Sequence, residues 1–361
     1  MYSSGISPSV LMFHEWDLDD CEKRTSKALS YNKKSIHYLL TGSFIAFNKE
    51  VVSYCFNTTD SKCTPVTGEV IHKIQEKIQT CLKDIPIETE INISFHLNDT
   101  KGNESVWRNE IIFDPLAKYE GVSYEDFLIT PILLALESKS NKEVRISLQG
   151  EMGATLFSYP KSYSLLIQRL KSTYPQYKFG VSTNYNKISG KVKGFELMEV
   201  QGLLDSLDFL GFSAYKPFNP FNIRNVFQEY ADDYLGKLRS MSLSVPSDVE
   251  LLFSEIGLGG GNWKNDGRTA GENIEEVSAA PYAGIFVEGK KNNPWKNEDL
   301  FYLRRRFFLF LDDFLSNTSK TKEGHHVSRA FVWNAGSWDI HGIYPGSENF
   351  KDHLLTKKLA Q

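Results

Sequence analysis

Short apolar or β-branched runs recur along this chain, and between them lie longer stretches with apolar residues at every third or fourth position. The short runs are VLMFHEW (10–16), SIHYLLTGSF (35–44), EINISFHL (90–97), EVRISLQG (143–150), KFGVSTN (178–184), LDFLGFSAY (207–215), VELLFSE (249–255) and SRAFVWN (328–334). Their length and β-branched content predict eight strands, several of them buried on both faces. The intervening segments include GEVIHKIQEKIQTCLKDI, YEDFLITPILLALES, YPKSYSLLIQRLKSTYP and EDLFYLRRRFFLFLDDFLSN. Their spacing predicts amphipathic helices.

An eightfold strand–helix alternation predicts an α/β fold, a single (β/α)8 TIM barrel over residues 1–361. The rival, an open doubly wound sheet, lacks a glycine fingerprint after the first strand. Two insertions break the rhythm, at 98–122 after the third strand and at 256–298 after the seventh. In a barrel, strand-to-helix loops build the active face, so both are expected to line or cover a cleft. The GLGGG run at 257–261 reads as flexible backbone beside it, since no phosphate-loop Lys-Ser/Thr follows. The RRR at 304–306 reads as a solvated helix face.

Composition narrows the partners. The 41 basic and 45 acidic residues are dispersed and sum to a formal charge of -4, which argues against nucleic acid. No apolar stretch is long enough to span a membrane. Cys21, Cys55, Cys63 and Cys81 all fall in the first quarter, and Cys55 and Cys63 bracket a polar loop that one disulfide could close. Clustered cysteines suggest a secreted or extracytoplasmic protein. His325 and His326 are adjacent, a spacing that does not converge on one metal, so no metal or other cofactor is expected.

Two carboxylates stand out. Glu255 ends the apolar run LLFSE, and Glu151 follows Gly150 at the end of RISLQG. These are the carboxyl ends of strands seven and four, the rim where barrels do chemistry. Two facing carboxylates there suit retaining glycoside hydrolysis, in which one protonates the leaving oxygen and the other attacks the anomeric carbon.

These stretches, with FHLNDTKGNESVWRNEIIF, KFGVSTNYN, LDFLGFSAYKPF and AFVWNAGSW, resemble clan A glycoside hydrolases, most of all the family 113 β-mannanases. The resemblance implies a retaining enzyme acting on a β-linked, mannan-like polysaccharide or oligosaccharide. Glu151 falls at the acid/base position and Glu255 at the nucleophile position. Tyr215 matches a tyrosine that hydrogen-bonds the nucleophile. His96 and Trp107-Arg108 match a histidine and a Trp-Arg pair near the third strand, Asn184 ends the fifth strand, and Trp333 matches a sugar platform. Many clan members carry Asn directly before the acid/base, contacting the sugar 2-hydroxyl; here that position is Gly150, which leaves open that Gln149 substitutes from nearby, that the site accepts a different 2-configuration, or that activity is lost. The departure also motivates an alternative, a catalytically silent carbohydrate-binding barrel.

Further substrate contacts are expected from His14, at the end of the first strand, and from Trp16, Trp263 and Trp338 in rim loops, as is one from Trp295. For the tryptophans the competing expectation is packing beneath the loops, and for His14 it is a satisfied core histidine.

Overall fold

A computed structural model describes the chain apart from residues 1–4, 58–62, 100–105, 138, 186–187, 189–190, 266–268, 287–291 and 361 and the side chains of residues 15, 16, 57 and 265. The eight expected strands are present. They are Ile6–Met12, Ser35–Phe47, Glu90–Asp99, Val144–Gly150, Lys178–Asn184, Phe209–Ser213, Glu250–Ile256 and Val327–Val332, numbered here as barrel strands one to eight. Each pairs in parallel with the next, and strand one pairs with both two and eight, which closes the (β/α)8 barrel. Helices at Gly68–Leu82, Pro160–Thr173, Val226–Ser240 and Glu298–Asp313 carry their buried stripes against its outside.

Strand one begins at Ile6, ahead of the expected Val10. Its start, ISPSV, looks like a loop because the inner face of this barrel is lined with hydroxyls. Ser7 Oγ meets Ser35 Oγ at 2.7 Å, and the Asn92 amide donates to Ser35 Oγ. Higher up, the buried His37 ring bridges Ser9 and Ser94 at 2.8 and 2.7 Å and stacks on Phe331. Ser147 and Ser182 form a similar pair. Small polar residues fit the narrow interior and satisfy one another there. Below them an ion network of Glu90, Arg145, Lys178, Glu250 and Arg329 plugs the floor.

Three other features depart from expectation. Strand two runs on into an antiparallel ribbon with Glu50–Asn57 and Cys63–Pro65. Its turn, Asn48-Lys49, has positive φ at both residues, the geometry that joins two twisted strands directly. The expected Cys55–Cys63 disulfide is present, and a second, Cys21–Cys81, joins the helices Cys21–Tyr31 and Gly68–Leu82. Of the arginine triplet only Arg306 is exposed. Arg304 is buried, lies 4.2 Å over the Trp295 ring and donates to the Phe350 carbonyl, while Arg305 grips Asp352 with two nitrogens at 2.8 Å. Among the described residues no helix is long and apolar enough to cross a membrane.

Candidate active site

Strand four delivers Glu151 to the carboxyl rim in an unusual way. The residue after the strand has φ +58, a left-handed conformation that a residue with a Cβ adopts only under constraint. Its amide donates to the Ser182 carbonyl, which anchors the turn on strand five. The side chain is buried and well supplied with donors: Asn184 Nδ2 and Ser213 Oγ each reach Oε1 at 2.6 Å, and the Arg108 guanidinium stands 3.5 Å from Oε2. Arg108 is itself tied to Asn98 on strand three.

Strand seven brings Glu255 in by a bulge. Leu251 and Phe253 pack outward into the main core, whereas Leu252 joins Phe209 and Phe331 in a separate cluster inside the barrel. Simple alternation therefore assigns position 255 to the outer face. The pairing register slips between Phe253 and Ile256 against strand eight, and between Phe212 and Ser213 on strand six. A bulge of this kind re-aims a side chain. Glu255 turns inward, where its Oε1 lies 2.8 Å from His96 Nε2.

His96, Glu151 and Glu255 thus meet, with one donor atom from each lying within 4.8 Å of the others. Burial pushes the Glu255 carboxyl up to about 7, against the pull of Arg108. Burial, with Arg108's charge, also holds His96 well below its ordinary range despite Glu151 nearby, so its ring is neutral. The Tyr215 hydroxyl is pushed well up by burial and by the charges of Glu255 and Glu151. The trio offers one nitrogen and two oxygens, a donor set that a divalent cation can use. Arg108 beside Glu151 opposes a second positive charge.

The remaining expected residues separate into two groups. Trp333 stays at the site, half-buried, its ring 6.0 Å from that of His96 and 5.7 Å from Phe13. Trp107 is half-buried at the head of the Arg108–Glu110 turn, and Asn109 in that turn accepts from the Gly153 amide, which ties the third-strand loop to the fourth. Trp263 is 49% exposed on its rim loop. Asn184 is spent on Glu151. Gln149 is fully buried and accepts from the Met152 amide, so it braces the turn after strand four. His14 caps the short helix Glu15–Asp19, and the Trp16 side chain lies outside the described residues.

Trp338 packs beneath the rim loops. It is 5% exposed, donates to the Pro281 carbonyl and fills the space that side chains at Gly257 and Gly284 would need. The GLGGG run is accordingly close-packed rather than loose: Gly259 and Gly261 donate to the Pro281 and Ala283 carbonyls, and glycine is required because backbone and indole come so near. Trp295 is likewise buried, donating to the Ser337 carbonyl. Ser213 is the site residue that sequence reasoning missed. Its signal was its place two residues before Tyr215, at the end of strand six.

No family model matches the chain, and no curated protein matches it in sequence. Solved structures do. A family GH113 β-1,4-mannanase superposes with a TM-score of 0.53 at 11% identity, over 99% of this chain and 99% of that one. A glycoside hydrolase family 5 mannosidase from Rhizomucor miehei, in complex with mannosyl-fructose, aligns at 0.46 and 9% identity over 99% and 91% of the two chains. An endo-laminarinase from Formosa aligns at 0.42 and 11% over 99% and 95%. At such identity the likeness to the mannanase is one of fold.

Proposed function

We propose that residues 1–361 form one catalytic domain, a secreted retaining glycoside hydrolase that cleaves β-linked, mannan-like polysaccharide or oligosaccharide. The observation that carries this is the approach of the two carboxyl groups. Oxygens of Glu151 and Glu255 within 4.8 Å suit the roughly 5–5.5 Å of retaining enzymes and not the roughly 6.5–9.5 Å that an inverting enzyme needs for its water. Trp333 supplies an apolar face beside them on which a sugar ring can stack. The mannanase fold likeness and the two disulfides agree with the substrate class and the oxidising location.

In this reading Glu255 attacks the anomeric carbon while Glu151 protonates the leaving oxygen; Glu151 then activates the water that releases the sugar. Arg108 favours ionised Glu255, and His96 Nε2–H is placed to donate to it. A second reading exchanges the roles. It is favoured by the two hydrogen-bond donors and the Arg108 cation around Glu151, which suit a carboxylate, and by the raised Glu255, which suits a proton carrier.

A 2-deoxy-2-fluoro aryl β-mannoside, which arrests at the covalent intermediate, tests both. Mass spectrometry of the digest should find the sugar on the peptide containing Glu255. A label on the Glu151 peptide would reverse the roles. Absence of turnover across aryl glycosides and mannans, with saturable binding retained, would leave a carbohydrate-binding barrel.

A further inference from the structure

Gly150 is a glycine for reasons of space. Its φ lies outside the left-handed region, so no dihedral demand explains it. A Cβ built on it would stand 2.7 Å from His96 Cδ2, 2.8 Å from His96 Nε2 and 3.0 Å from the Phe95 carbonyl oxygen. Carbon atoms that are not bonded settle at about 3.5–4.0 Å. The volume that a side chain at 150 would take is already filled by the imidazole of strand three.

The same imidazole is fixed on its other sides. One face stacks against Trp333 at an interplanar angle of 29°, and its tip meets Glu255 Oε1 at 2.8 Å. We infer that Gly150 and His96 form one positioning unit: the missing side chain at 150 seats the edge of the ring, and the seated ring holds the Glu255 carboxyl opposite Glu151. The catalytic half of this rests on the retaining reading above; the steric half stands on the distances.

The charged and titratable groups around the pair are Arg108, Glu151 and Tyr215 at the rim and His37 one layer below. A neutral ring among them donates Nε2–H to Glu255 and thereby favours its carboxylate. A substituent at 150 would tilt the ring off this line. Loss of the ring would leave Glu255 without that donor.

The test is a thermal and kinetic cycle on the full-length protein with Gly150→Ala, His96→Ala and the double variant. Gly150→Ala should lower the unfolding midpoint by roughly 3–6 °C in the wild-type background. It should cost less than half as much when His96 is alanine. Turnover is followed on 4-nitrophenyl β-D-mannoside, or on another aryl glycoside that the wild type cleaves. Each single variant should lose kcat by roughly 10–100-fold with little change in KM, and the double should be no worse than the worse single. His96→Ala should also move the acid limb of the pH–rate profile upward.

Equal thermal costs of Gly150→Ala in both backgrounds would overturn the unit, and an acid limb unmoved by His96→Ala would overturn its role at Glu255. If the wild type cleaves no glycoside, the thermal cycle still decides the steric coupling. In that case it is the hydrolase reading that fails.

Discussion

Glu250 and Glu255 sit at opposite ends of barrel strand seven and live in opposite environments. At the floor, burial alone would raise Glu250, but Arg145, Lys178 and Ser328 together take it down to about 2. At the rim, Glu255 has the neutral His96 against its oxygen and is pushed up to about 7. The floor end is over-supplied with cations and is architecture. The rim end is held short of them, the condition under which a carboxyl group changes state during a reaction.

The contrast breaks first at the rim. Glu255→Gln should lower kcat by more than about 10⁴-fold. It should not destabilise the fold. A raised carboxyl contributes stability that is full below its unfolded value and is lost as pH rises through about 7, so the variant should melt above the wild type at pH 8 and near it at pH 4. A wild type that melts higher at pH 8 would mean that Glu255 is paired after all. In the wild type, kcat/KM should fall about tenfold per unit as pH drops below about 7, because attack needs the carboxylate.

Glu250→Gln should do the reverse, leaving the shape of the pH–rate profile alone and weakening the fold. The loss is about 1–3 kcal/mol at pH 7, a figure already reduced for the partial exposure of this glutamate. A depressed carboxyl gives stability that is present above its unfolded value and lost on acidification. Chemical denaturation at pH 7 and pH 3 should therefore show the difference from wild type shrinking at the lower pH.

The smallest effect sharpens the rim itself. Ser213→Ala removes one of the donors on Glu151 Oε1 while Asn184 remains. It should lower kcat by roughly tenfold with KM little changed, read in steady-state kinetics. A change confined to KM would place Ser213 on the sugar instead.

The barrel was readable because periodicity reports burial, and eight buried runs separated by helical spacing admit few other folds. The positions of Glu151 and Glu255 at strand ends were readable for the same reason. How the carboxylates are aimed was not. Alternation assigns Glu255 to the outer face, and the bulge that turns it inward is a property of pairing with strands six and eight. Arg304 misled because a triplet of arginines looks solvated until Trp295, Phe350 and Asp352, from distant segments, close around it. The packing of Trp338 was not legible because a rim tryptophan that meets sugar and one that meets glycine backbone have the same sequence signature.

The left-handed backbone at Glu151 has one more consequence. A residue with a side chain held at φ +58 carries a cost of about 1–2 kcal/mol that glycine would not. Replacing this glutamate by glycine therefore removes the acid group and relaxes the turn in one step. On the hydrolase reading, glycine there would trade the chemistry and the Asn184 and Ser213 hydrogen bonds for a relaxed backbone, so thermal robustness and turnover at this position need not rise together.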